Sequence, residues 1–101
     1  MAKAKTLPCP YVMVRTYSAG VFAGELVARK GKEVELRKAR RIWQWAGAAS
    51  LSELAQRGTS NPSGCRFPIE VDSITLTDAI EIIAVTDAAR QSIAQVPVWS
   101  K

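Results

Sequence analysis

Two short turn signals divide the first third of the chain into three runs that suit only a sheet. Tyr11 to Tyr17 is rich in β-branched and aromatic residues and ends at Ser18, Ala19 and Gly20, which supply tight-turn chemistry. Val21 to Arg29 is a second such run, closed by Lys30, Gly31 and Lys32. Beyond that turn Val34 and Leu36 alternate with Glu33, Glu35 and Arg37, the period-two pattern of a half-buried strand. The reading is a hairpin followed by a third antiparallel strand.

That third strand runs into a conflict of phase. Ile42 keeps the alternation of Val34 and Leu36, whereas Trp43 and Trp45 fall on the other face with Arg37, Ala39 and Arg41. Either a bulge between Lys38 and Arg40 switches the phase, or the tryptophans cover the second face. Ser50, Leu51, Ser52 and Glu53 then form a capping box that opens a short helix, with Gly58 as its stop. The polar stretch Thr59 to Gly64 reads as a loop suited to a lid or an adaptable rim. Phe67, Ile69 and Val71 alternate as a strand that Ile74 and Leu76 continue, and Ala79 to Val85 is a further, largely buried strand. Thr86 caps a final short helix through Ile93, after which Val96 and Val98 close against the core. The expected fold is α+β: a mainly antiparallel sheet of about five strands with two short helices. Residues 1–10 are expected to be a flexible lead-in to a single domain spanning 11–101.

A chain of 101 residues buries roughly 65% of its unfolded surface in one modest core. Its 48% hydrophobic and 23% charged residues place it among folded, soluble proteins rather than disordered ones. No apolar run approaches the ~20 residues that span a bilayer, and MAKAKTLPCP lacks the apolar centre of a signal peptide. The expectation is a cytoplasmic protein with no membrane partner. Cys9 and Cys65, distant in sequence and without export signals, read as two free thiols.

Charge is unevenly spread. Met1 to Trp45 holds ten Lys and Arg against three Glu, whereas Ala46 to Lys101 holds four against six acidic residues. Such asymmetry suits polyanion binding and also self-association, in which a basic face meets a neighbour's acidic one.

Catalytic chemistry finds few actors. The chain contains no histidine, which removes the commonest general base, the histidine-activated nucleophiles and the usual metal ligand together. There is no C-x-x-C pair and neither standard phosphate loop. Glu70 and Asp72 share one strand face but suit its solvated side. Binding without turnover, and without metal or cofactor, is the expected class.

The residues that point to a ligand are the run Arg37 to Trp45, RKARRIWQW. Guanidinium groups fork onto phosphates and stack on aromatic faces, and an indole gives a nucleobase a surface on which to lie. The helix start beside Ser50 adds free backbone N–H groups, although Glu53 competes for that positive end. Arg15 and Tyr17, near the first turn, could reach the same rim. The candidate ligand set is therefore Arg40, Arg41, Trp43, Trp45, Arg15, Tyr17 and Ser50. The alternative for each tryptophan is plain core packing.

The runs RTYSAGVFAG at 15–24, GKEVEL at 31–36, ARRIWQWAGAASLSELA at 39–55 and DAIEII at 78–83 resemble a small family of bacteriophage-encoded proteins of this length, over most of the chain. The RRIWQWAGA segment also resembles phage sponge proteins that counter Thoeris and cyclic-oligonucleotide defence by binding a nucleotide signal without cleaving it. That resemblance implies a homo-oligomer in which Arg40, Arg41, Trp43 and Trp45 hold phosphates and bases in pockets between subunits. The rival expectations are a nucleic-acid-binding module on the same basic face, and a structural or protein-interaction protein of the phage with core tryptophans.

Overall fold

The computed structural model describes residues 9–100, so the expected lead-in lies outside the described residues except for Cys9 and Pro10. Five strands and two helices follow in the order β1 (Tyr11–Thr16), β2 (Val21–Lys30), β3 (Glu33–Arg41), α1 (Leu51–Arg57), β4 (Val71–Leu76), β5 (Ala79–Ala84) and α2 (Asp87–Ala94). All the strand pairings are antiparallel, in the sheet order β4-β3-β2-β1-β5. The fold is α+β, as the periodicity of the chain predicts.

Strand order dictates a rolled sheet. β4 and β5 are opposite edges, and in a flat sheet four spacings of ~4.8 Å would part them by roughly 19 Å. Only Thr77 and Asp78 connect them, and three Cα steps reach ~11 Å at most. The sheet therefore curls into a partly open barrel, and the Ala79 N–H donates to the Lys32 carbonyl at 3.0 Å across the seam.

Curling gives the sheet two apolar faces and the molecule two cores. Val12, Val14, Phe22, Val34, Leu36, Ala39 and Leu76 fill the barrel. Met13 and Ala23, on the alternate positions, face outward to Leu54 and Ala55 of α1, Ile93 of α2, and Ile42, Phe67 and Val96. Each large side chain fully buried here contributes roughly 1.5–3 kcal/mol. Both helices carry the caps read in the sequence: Ser50 Oγ accepts from Glu53 N at 3.1 Å, and Thr86 Oγ1 accepts from Ala89 N at 3.1 Å. Gly58 ends α1 at φ 77°, where a Cβ would collide with Ser92.

The phase conflict in β3 is resolved by a bulge. Glu25 pairs with Arg37 and Ala23 with Arg40, so three steps on β3 oppose two on β2. Lys38 takes the extra place at φ 52°, the one positive φ on a non-glycine residue among those described. Gly24 lies opposite, and a Cβ there would stand 3.0 Å from the Ala39 Cα and the Arg37 carbonyl oxygen. Past the bulge, Ala39 continues the barrel face while Arg40 and Ile42 turn toward the helices. Ile42 thus lies on the face opposite Val34 and Leu36.

Four other expectations change, the first being that β5, expected to be largely buried, has no fully buried residue and leaves Ile80 47% exposed. Strand β4 begins only at Val71, and Phe67 makes an isolated parallel bridge to Val98. Val98 is 57% exposed rather than closed on the core. The 59–64 loop contains one 3-10 turn, Pro62–Gly64, and is tied down. Thr59 Oγ1 donates to Ala46 O, Thr59 N to Ser92 Oγ at 3.0 Å, and Ser60 N to Gly47 O at 3.2 Å.

Candidate functional site

A cleft of about 370 Å³ opens between the bulged end of β3, α2 and the segments 69–70 and 96–98. Arg40 forms its floor. The bulge turns this side chain inward, where the residue is 6% exposed and lies across the Phe67 ring at 5.4 Å. Its Nε donates to Pro68 O at 3.2 Å, Nη1 to Ile93 O at 2.9 Å, and Nη2 to Phe67 O at 3.2 Å and Val96 O at 2.7 Å. Four of the five N–H donors are thus occupied by backbone carbonyls. Burial lowers the Arg40 pKa from its ordinary value, while Tyr11, Glu70 and Cys65 act in the opposite sense.

Arg90 and Tyr11 form one wall. Arg90 projects from α2 over the Tyr11 ring at 4.6 Å and donates to Glu25 Oε2 at 3.0 Å. Glu25 also receives Arg37 at 3.4 Å. Burial by itself would raise the Glu25 carboxyl, but hydrogen bonds from Arg90 and Arg37 and the charge of Lys38 hold it below its usual range. Burial raises the Tyr11 hydroxyl, with Arg90 opposing. Lys38 enters the cleft from the bulge and is exposed; among the described residues no carboxylate pairs with it. Glu70 is the one carboxylate lining the cleft, and Ile69 and Val98 give it apolar lips.

The expected ligand residues do not converge. Of the seven, only Arg40 lines this cleft, and most of its donors are committed to the fold. Arg41, one residue on, faces the barrel mouth, where it lies over the Phe22 ring at 4.6 Å and donates to Ala19 O at 3.3 Å. Trp43 is 61% exposed and packs on Trp99 with ring centroids 5.9 Å apart, and Arg66 lies over Trp99 at 5.6 Å. Trp45 is half-buried against the helical core. Arg15 pairs with Glu81 at 2.9 Å on the outer face of β1 and β5, and Tyr17 stands exposed in the first turn. Ser50 is engaged as the α1 cap, and Glu53 turns its carboxylate back to accept from Ala49 N at 2.8 Å, so the chain's own groups fill that helix end. The 59–64 loop borders neither the cleft nor the barrel mouth.

Residues 9–93 match the family described as a domain of unknown function, DUF6948. The chain belongs to that family. The matched span takes in all five strands, α1 and most of α2, and so includes the bulge at Lys38, the Arg40 floor and Arg90. No curated protein and no solved structure matches the chain.

Sequence reading passed over Tyr11, Arg90 and Ile69 as parts of a site. Arg90 carried no signal, since an arginine on a short polar helix reads as surface. Lys38 had one, because the phase conflict offered, as one of two readings, a bulge between Lys38 and Arg40.

Proposed function

We propose that the protein is a non-catalytic binding protein that holds the phosphate of a small nucleotide-type ligand in the cleft between β3 and α2. Lys38 carries the proposal. A lysine at positive φ costs on the order of 1–2 kcal/mol that glycine would avoid, and such strain gathers at binding sites. Here it places in the cleft that Arg40 and Arg90 also line an ammonium with which no carboxylate pairs among the described residues. Three cations against Glu70 and the Glu25 carboxylate that already pairs with Arg90 leave a net positive cleft, and with Ile69 and Val98 as apolar lips it suits an anionic group attached to a less polar body. The resemblance to phage proteins that sequester cyclic or modified nucleotide signals fits the same chemistry, as does the lack of any histidine to serve as a general base.

The test is to denature protein purified from cells that make defence nucleotides, and to identify released nucleotide by mass spectrometry. Intact ligand in near-stoichiometric amount supports sequestration. Hydrolysed product in catalytic excess refutes it, as does recovery of nothing combined with no thermal shift across a nucleotide panel. A ligand at a hundredfold its Kd adds ~2.7 kcal/mol, which for a domain of this size is roughly 10 °C or more.

A second reading, binding of single-stranded nucleic acid, is favoured by the exposed Trp43, which packs on the half-buried Trp99 with Arg66 over that ring. It predicts affinity for an oligonucleotide that falls steeply with salt and is lost in Trp43→Ala.

A further inference from the structure

Resting on the reading that the β3–α2 cleft takes a phosphate, we infer that a second cleft beyond Ile69 takes the planar base of the same ligand, on the open face of Arg41. This second cleft has a volume of about 200 Å³ and is lined by Phe22, Ala39, Ile74, Val71, Ile69 and Arg41, together with Pro68. It is the mouth of the barrel, where the core would otherwise meet water. Val71 is 41% exposed there and Ile69 69%, so apolar surface remains available to a guest.

Arg41 gives the cleft its chemistry. Its guanidinium lies over the Phe22 ring, the residue is exposed, and its one side-chain hydrogen bond among the described residues is the 3.3 Å contact to Ala19 O. No carboxylate pairs with it among the described residues. A guanidinium resting on one ring presents its other face to a second π-system. A flat heteroaromatic ring satisfies that face and the aliphatic walls together, whereas a bare anion would satisfy only the charge. The space suits one ring system rather than a whole nucleotide.

Continuity with the phosphate cleft identifies the rest of the ligand. Ile69 lines both clefts, and Pro68 lines the second while its carbonyl accepts from Arg40. The bulge sends Lys38 and Arg40 to one cleft and Ala39 and Arg41 to the other. A molecule with its phosphate at Lys38 and its base at Arg41 would pass over Ile69 at the edge of the sheet. That describes a nucleotide, held by two subsites of different chemistry.

Calorimetric titration of inorganic phosphate, adenosine monophosphate and a cyclic dinucleotide into the wild type, Lys38→Gln, Arg41→Ala and Arg41→Lys separates the two claims. The wild type should bind one of the nucleotides at least about tenfold tighter than phosphate, the scale of one base stack. Arg41→Ala and Arg41→Lys should both lose that advantage while keeping phosphate affinity, because lysine retains the charge without the plane. Equal loss for phosphate and nucleotide, or full rescue by Arg41→Lys, overturns the base subsite and leaves the phosphate cleft standing. Unchanged phosphate affinity in Lys38→Gln overturns the cleft reading instead, and a wild type that binds none of the three probes overturns both.

Discussion

Arg40 Nη2 donates to the Val96 carbonyl at 2.7 Å, joining the bulged end of β3 to the turn that follows α2. The same side chain reaches Ile93 at the end of α2 and Phe67 and Pro68 before β4. One guanidinium thus ties together three segments distant in sequence. Replacing Arg40 by Met keeps much of the apolar stem but strands these buried carbonyls, each unsatisfied acceptor costing about 1–3 kcal/mol, so the expected loss is roughly 3–5 kcal/mol. Urea denaturation should show that loss, and thermal melting a fall on the order of 15 °C. A loss below about 1 kcal/mol would mean that water substitutes for the guanidinium.

Lys38→Gly should separate stability from binding. Glycine removes the positive-φ strain, worth ~1–2 kcal/mol, and adds an unfolded-state entropy cost of ~0.5–1 kcal/mol. The expected net is a stabilisation of roughly 0.5 kcal/mol with phosphate affinity lost. A variant that is destabilised by more than 1 kcal/mol would show that Lys38 contributes packing rather than strain.

Acid should loosen the Glu25 junction. Burial raises this carboxyl, but Arg90, Lys38 and Arg37 outweigh it, so its folded pKa lies below the unfolded value. A depressed folded pKa contributes stability that is fully present above the unfolded pKa and is lost as pH falls through the folded one. Melting temperature should therefore decline below about pH 4.5, the ordinary value for this group, and Glu25→Gln should flatten that part of the profile. Equal acid sensitivity in the variant would assign the effect to other carboxylates.

The two tryptophans of the basic segment should behave differently. Trp45 packs on the helical core, so Trp45→Ala should cost about 3 kcal/mol. Trp43 meets only the tilted face of Trp99 among aromatic partners, and Trp43→Ala should cost ~1 kcal/mol. Chemical denaturation of both variants checks the order, and comparable losses would place Trp43 in the core after all.

Much of the fold was legible locally. The turns at Ser18–Gly20 and Lys30–Lys32, the Ser50 and Thr86 caps and the Gly58 stop follow from rules that act within a few residues, and the structure realises each of them. The phase conflict around Lys38–Arg40 offered a bulge as one of two readings, and the structure decided for it. The content of the site was far less legible, because RKARRIWQW looked like one cluster only along the chain. Once the bulge is in place, Arg40 enters the helical core, Arg41 caps the barrel, Trp45 packs and Trp43 stays in solvent.

By itself, the sequence determined the element types, their order, the antiparallel class and the absence of histidine chemistry. Those properties depend on residue type and short-range spacing. Only the tertiary structure decided that two residues between β4 and β5 must roll the sheet, and that the rolled sheet has two cores. It also decided that Arg90, 52 positions beyond Lys38 in the chain, shares a cleft with it. A cleft is a property of surfaces brought together by closure of the sheet, and no local pattern encodes which distant side chains will meet there.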